Sequence, residues 1–158
     1  ELAKRLRASG RREEAEQILL AGTALEPAEL AANHWGALAR HYFELEAYEK
    51  SAEAWSHVIE VIPDPGPELL LSYADALALA GEYARALEVG AKLPDTHRAL
   101  LRGRILLEQH RPREALVALD AAIRLWPDNP SARYYAARAA ERPLRTRDDI
   151  VRETETSS

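Results

Sequence analysis

The chain of 158 residues contains no cysteine and no methionine. Without cysteine it cannot form a disulfide, a thiolate metal site or a cysteine nucleophile, although the redox compartment stays open. No stretch approaches the ~18 uninterrupted apolar residues of a membrane span, and the N-terminus has no signal-peptide pattern. We therefore expect no membrane-spanning segment. Because the sequence begins at Glu1 rather than methionine, we expect a fragment of a longer protein.

Signals for β-structure and for catalysis are also missing. Alternating runs of Val, Ile and Thr do not occur, and there is no Asn-Gly or Asp-Gly hairpin turn. The chain lacks a glycine-rich phosphate loop, a Gly-x-Ser-x-Gly elbow and a His-Glu-x-x-His zinc motif. We therefore expect an all-α protein that is not an enzyme and binds no cofactor or metal.

Five histidines and a few acidic pairs are the remaining candidates for metal binding or catalysis. His34 and His41 lie two helical turns apart, which is too far for them to share a metal without help. His57, His97 and His110 fall near helix ends or loops, so all five are predicted to be solvated. No catalytic role is predicted for the acidic pairs Glu13/Glu14, Glu44/Glu46 and Asp148/Asp149.

Charge is distributed unevenly along the chain, whose formal net charge is −5. Residues 13–95 hold sixteen acids against four bases, whereas residues 97–147 hold eleven arginines against five acids. This polarity either steers partners or reflects ordinary solvated helices. Eighteen arginines against three lysines favour a GC-rich genome, so we expect a bacterial source.

A short phrase recurs along the chain at intervals of thirty-odd residues. Segments 46–63 and 81–89 are close copies, and fainter copies begin at Gly10 and His110. Repetition at this period indicates one supersecondary unit stacked on copies of itself. The aligned copies predict four residues in the turns between paired helices: Gly10, Glu46, Gly81 and His110.

Small residues five positions after each turn predict where the second helix of a unit crosses the first. These residues are Ala15, Ser51, Ala86 and Ala115. Pro27, Pro63 and Pro127 close three units because proline cannot continue a helix. Pro94 closes the third unit early, so its second helix should be about one turn shorter.

Apolar residues spaced three and four apart predict the buried stripe of each helix. In the unit-four stripe Arg102 breaks the apolar rule, and Gly103 permits close packing. The first helices carry Trp35-Leu38-Ala39-Tyr42, Leu70-Tyr73-Ala74-Leu77 and Ala99-Arg102-Gly103-Leu106. The second helices carry Leu19-Gly22-Leu25, Trp55-Val58-Val61 and Leu119-Ala122-Leu125.

The order Trp35-x2-Leu38-Ala39-x2-Tyr42, then Tyr48, Ser51, Trp55, Val58 and Pro63, resembles the tetratricopeptide repeat. The resemblance covers about residues 1–142 and implies a right-handed α-solenoid of antiparallel helix pairs, with about four repeats plus a terminal helix. Its units are about 1–27, 28–63, 64–94, 95–128 and a partial 129–142, followed by a short cap or disordered tail at 143–158. Glu46 and His110 depart from the glycine that is usual in the family's turn.

The resemblance also implies a binding groove on the concave side, lined by the first helices. The family's groove positions fall here on Asn33, Arg40, Phe43, Glu44, Asp75, His97, Leu100, Arg104, Tyr134 and Arg138. Because arginine forks pair with carboxylates, Arg40, Arg104 and Arg138 favour an acidic peptide. The alternative is that these arginines pair with acids of the chain itself, such as Asp75 and Glu141.

We hypothesise a protein-interaction scaffold that binds a peptide segment or partner protein in this groove. The alternative is a recruiting or regulatory arm of a larger enzyme or assembly. Direct RNA or DNA binding through the arginine-rich half is less favoured, since its charge must overcome the acidic segment beside it. The stripe of the terminal helix lacks a second helix to cover it, so we expect that the tail folds back as a cap, or that this end pairs with another copy of the chain or with the rest of a longer chain. That stripe is Tyr135, Ala136, Ala139 and Ala140.

Overall fold

The computed structural model describes residues 2–141, which form helices joined by short turns and contain no strand. The prediction of an all-α fold is confirmed for this part of the chain, and the predicted tail at 143–158 lies outside it. No helix within 2–141 is long and apolar enough to cross a membrane. The helices are α1 (Leu2–Ala8), α2 (Arg12–Gly22), α3 (Ala28–Glu44), α4 (Tyr48–Val61), α5 (Pro67–Leu79), α6 (Tyr83–Gly90), α7 (Asp95–Glu108), α8 (Pro112–Leu125) and α9 (Pro130–Glu141). We call the pairs α1–α2, α3–α4, α5–α6 and α7–α8 units one to four.

Consecutive helices pack side by side along the whole described chain. Besides the pairing within each unit, α2 packs on α3, α4 on α5, α6 on α7, and α8 on α9. The first helices also contact one another, α5 with α7 and α7 with α9. Contacts confined to neighbouring units are the hallmark of a stacked repeat, so the solenoid prediction is confirmed.

The four predicted turn residues share one backbone conformation. The φ angles are 81° at Gly10, 59° at Glu46, 82° at Gly81 and 58° at His110. After each of them, an amide donates to the carbonyl five residues earlier, as Glu82 N does to Leu77 O at 2.8 Å. This is the bond that closes a helix through a left-handed residue. Glu46 and His110 thus adopt a conformation that costs a residue with a Cβ about 1–2 kcal/mol.

The small residues at the helix crossings are buried as predicted. Ala15, Ser51, Ala86 and Ala115 have no exposed surface. The Ser51 hydroxyl donates to the carbonyl oxygen of Ala39 on the facing helix at 2.8 Å. These positions therefore let the second helix lie close against the first in every unit.

Gly103 of α7 likewise allows its helix to lie close against α8. A Cβ built there would lie 2.4 Å from Cγ of Leu119 on α8, well inside van der Waals contact. Leu119 itself is completely buried, so it has no free space to move into. Gly103 is therefore what allows α7 and α8 to approach, as its place in the stripe predicted.

The predicted stripes are buried except at some of their ends and at Arg102, which is exposed in the middle of the α7 stripe. Leu70, Tyr73, Ala74 and Leu77 are all buried on α5. The third positions of two second-helix stripes were predicted wrongly, because Leu25 is 44% exposed and Leu125 is 54% exposed. Leu25 lies beyond the end of α2, and Leu125 is the last residue of α8.

The shortening of unit three is confirmed and exceeds the prediction. α6 has 8 residues, whereas α4 and α8 each have 14. Six missing residues amount to more than one and a half turns of helix. The short α6 therefore covers less of α7 than a full-length second helix would.

The face of α9 predicted to be uncovered was assigned wrongly. Ala139 is 2% exposed, and Tyr135 and Ala136 are partly buried against the apolar cluster of α7 and α8. Only Ala140 of the predicted stripe is exposed. The stripe instead faces the preceding unit, as the first helix of a solenoid must if the stack is to have a continuous core.

Candidate functional site

Six of the ten predicted groove residues line two adjoining clefts among the first helices. The first cleft, of about 500 Å³, includes Asn33, Gly36, Arg40, Trp55, Glu68 and Ser72. The second, of about 380 Å³, includes Arg40, Phe43, Glu44, Asp75, Arg104 and Tyr135. Arg40, Trp55 and Ser72 line both clefts, so the two form one continuous depression, which we call the groove.

Arg40 lies at the centre of the groove. Its side chain is exposed, and its guanidinium carbon lies 5.8 Å from the centroid of the Trp55 ring. Within residues 2–141 no carboxylate forms an ion pair with Arg40. A planar cation held against an aromatic face loses little freedom when a carboxylate binds it. Arg40 is therefore available to an acidic ligand.

Arg104 occupies the equivalent place on α7 but is in a different environment. It is 8% exposed and forms an ion pair with Asp75 of α5. Its guanidinium carbon lies between two rings, 5.8 Å from the Phe43 centroid and 4.9 Å from the Tyr135 centroid. The alternative of intramolecular pairing is thus realised at Arg104, and this arginine is part of the wall between α5 and α7.

Burial raises the pKa of the Asp75 carboxyl to about 6, and the nearby Arg104 charge opposes the rise. The Arg104 Nε has no hydrogen-bond partner in the described part of the chain. The pair therefore lies in a poorly hydrated place, where its two charges stabilise each other but are not fully solvated. Burial likewise raises the pKa of the Tyr135 hydroxyl beside it.

His97 and Leu100 do not line the groove. Leu100 is 6% exposed and belongs to the apolar cluster between α7, α8 and α9. The His97 ring is buried, with Nε2 3.4 Å from Glu68 Oε1 and its centroid 5.2 Å from that of Trp126. Both side chains hold α7 against its neighbours instead of facing a ligand.

Tyr134 and Arg138 lie beside the groove on α9 and are not among its lining residues. Tyr134 is 60% exposed, and its ring centroid lies 5.2 Å from that of Tyr135. The guanidinium carbon of Arg138 lies 5.9 Å from the Tyr134 centroid. These two residues extend the charged and aromatic surface past Tyr135 along α9.

Comparison with known protein families assigns this architecture. Residues 100–142 match the family model of the tetratricopeptide repeat. This match supports a tetratricopeptide repeat protein. No curated protein matches it. Tetratricopeptide repeats are generally protein–protein interaction modules and typically non-catalytic scaffolds, so a protein partner is the general expectation for this chain.

The prediction of solvated histidines is wrong for two of the five. His41 is 1% exposed and His97 is 8% exposed. His57 is only partly exposed and stacks on Trp35, with 4.1 Å between the ring centroids. Among residues 2–141, no three His, Cys, Asp or Glu side chains come close enough to hold a metal ion.

Several lining residues of the groove were not among the ten predicted binding residues, and three of them are Trp55, Ser72 and Tyr135. Trp55 was assigned to a buried stripe, yet the edge of its ring reaches the groove beneath Arg40. Tyr135 was assigned to the end of the stack. Ser72 interrupts an apolar stretch of α5, from Leu69 to Tyr73, and that interruption is a signal that could have placed it on the groove side.

Proposed function

We propose that the groove binds a peptide segment of a partner protein, and that an acidic side chain of the segment pairs with Arg40. The observation that carries this proposal is the contrast between two arginines. Arg104 is neutralised by Asp75 and buried, whereas Arg40 is exposed, lines both clefts and forms no ion pair with an acid of residues 2–141. An arginine–carboxylate pair beside aromatic surface gives both charge recognition and apolar contact.

Aromatic side chains support the same proposal. Phe43, Trp55 and Tyr135 line the groove together with Arg40. Large, stiff side chains of this kind contribute most of the affinity at peptide interfaces. The ligand is therefore a segment in which apolar residues flank at least one Asp or Glu.

A random 12-residue peptide library displayed against the whole chain tests this proposal. The selected peptides should be enriched in Asp or Glu next to apolar residues. Arg40→Ala should weaken their binding at least tenfold, measured by isothermal titration calorimetry. The matched control is Arg98→Ala, because Arg98 is an exposed arginine that pairs with Asp95 outside the groove. Equal affinity of the wild type and Arg40→Ala would refute the proposal.

Two further roles remain compatible with the same groove or with another face of the chain. As a recruiting arm of a larger assembly, the chain would use the groove to hold its substrate. Self-association through α9 stays a prediction, and sedimentation velocity would detect it. The hypothesis of nucleic-acid binding is less favoured, because three arginines of the basic half already pair with acids nearby in the chain. These arginines are Arg98, Arg111 and Arg124.

A further inference from the structure

The sequences of units two and four align residue by residue with a constant offset of 64 positions. Trp35 and Ala99 are 64 positions apart, and so are His57 and Ala121. At the stripe position between them, Leu38 in unit two corresponds to Arg102 in unit four. The same backbone frame therefore carries large apolar groups in one unit and small or charged groups in the other.

In unit two the outer side of this frame is largely covered, and the cleft that remains beside Trp35 and His57 is only about 240 Å³. The rings of Trp35 and His57 stack at 4.1 Å with an angle of 26° between their planes. The last turn of α2 lies against the same face, because a Cβ at Gly22 would be 1.9 Å from Cδ2 of His34. Under this cover Leu38 has no exposed surface.

In unit four the corresponding space is open. A cleft of about 490 Å³ is lined by Arg98, Ala99, Arg102, Val117, Ala118 and Ala121, and we call it the outer cleft. Val117 is 73% exposed at its edge. The preceding second helix, α6, ends at Gly90, where a Cβ would meet Cδ2 of Leu101 and not the cleft. Neither rings nor a helix turn covers this face within the described chain.

Arg102 gives the outer cleft its charge preference. It is exposed and forms no ion pair among residues 2–141, whereas the neighbouring Arg98 and Glu114 are paired with Asp95 and Arg111. Arg102 and Arg104 point to different sides of α7, because two residues correspond to about 200° of helix rotation. The outer cleft is therefore separate from the groove.

We propose that the outer cleft binds a helix of a partner protein that carries an aromatic side chain and, about one turn away, a carboxylate. Unit two indicates which groups fit such a cleft, because there a helix end and a Trp–His stack cover the equivalent face. The aromatic side chain fills the space above Ala99 and Ala121, where small residues let a helix approach. The carboxylate pairs with Arg102, the position that is leucine in unit two.

A display library of 16-residue amphipathic helical peptides, each with one tryptophan and variable charges, tests the proposal. The bait is the whole chain with Arg40→Glu, which silences the groove and separates this test from that of the groove. The selected peptides should carry Asp or Glu three or four positions from tryptophan. They should bind the wild type and Arg40→Glu equally.

Two variants then locate the binding. Ala99→Trp with Ala121→His fills the cleft as unit two is filled, and Arg102→Glu reverses its charge; each should weaken the peptides at least tenfold. Arg133→Glu, an exposed arginine on α9, is the matched control and should change nothing. Arg102→Glu alone decides the question if circular dichroism shows that the filled variant does not fold.

Three results would overturn the proposal: no enrichment of such peptides, affinity unchanged by Arg102→Glu, or self-association of the wild type that Arg102→Glu abolishes. In the last case a second copy of the chain, and not a partner's helix, occupies the cleft.

Discussion

Units two and four share a backbone frame but differ in the side chains placed on it. Both turn through a left-handed residue with a Cβ, Glu46 or His110, and both cross at a completely buried small residue, Ser51 or Ala115. Above that frame, aromatic rings cover much of the outer side of unit two, whereas unit four has a larger open cleft. The turn and the crossing therefore determine the fold, while the stripe positions are free to become binding surface.

The groove side of the two units shows the reverse difference. Arg40 and Arg104 are equivalent, 64 positions apart, yet Arg40 is exposed over Trp55 and Arg104 is buried with Asp75. Unit two thus presents its charge on the inner side, and unit four presents Arg102 on the outer side. Each unit uses one face of its first helix for stability and leaves the other available.

The largest expected effect comes from replacing the two equivalent arginines. Arg104→Met leaves Asp75 buried without its cation, and removing one partner of a buried pair costs about 3–5 kcal/mol of unfolding free energy. Arg40→Met should change that free energy by less than about 0.5 kcal/mol, because the side chain is exposed. Urea denaturation at pH 7 measures both. Equal losses would mean that the two environments do not differ as described.

The pH dependence of stability sharpens the same contrast. The pKa of Asp75 is about 6 in the folded protein, against an ordinary value of 3.8. The folded state therefore binds the Asp75 proton more tightly than the unfolded state does. The contribution of this proton to stability is complete below about pH 3.8 and is lost as the pH rises through 6. Urea denaturation between pH 4 and 7 should show this loss for the wild type and not for Asp75→Asn. Parallel curves would place Asp75 in a hydrated site.

Two glycines should respond in opposite directions to alanine. Gly103→Ala forces a Cβ against Leu119, and overpacking of about 1–3 kcal/mol should outweigh the ~1 kcal/mol gain in helix propensity. Gly36→Ala in unit two meets no atom nearer than 3.7 Å, so only the gain should appear. Thermal unfolding followed by circular dichroism compares them. Stabilisation by both substitutions would show that α7 and α8 can move apart easily.

The smallest effects are expected at the turns. Glu46→Gly should stabilise the protein by about 1 kcal/mol, because glycine adopts the left-handed φ without a steric cost. Gly81→Ala should destabilise it by a similar amount, since no atom lies within 4 Å of the added Cβ and only the backbone conformation is affected. Chemical denaturation resolves both changes. A loss of stability in Glu46→Gly would mean that the Glu46 side chain stabilises the turn.

The repeating phrase was enough to predict the frame. Glu46 and His110 were placed in turns although neither is glycine, and Ser51 was placed at a crossing although it is polar. The residue types at such positions depend on contacts inside one unit, so they can be predicted from the sequence pattern of that unit. Pairing each turn with a small residue five positions later was the decisive signal.

The candidate site was predicted less completely, because burial in the groove depends on contacts between units. Nothing local distinguishes Arg40 from Arg104; the difference arises because α5 presents Asp75 to one of them. His97 was likewise predicted to be solvated, but it is buried beside Trp126, the residue that follows α8. Alignment gives the angular position of a side chain on its helix, but not what the next helix brings against it.

The packing of helices mainly against near neighbours has a mechanical consequence. Within residues 2–141 the helices pack mainly against near neighbours, so tension applied to the two ends passes through every seam in turn. The units are therefore coupled in series, and every seam bears the same load. Pulled from both ends, the protein should extend by the opening of one seam after another.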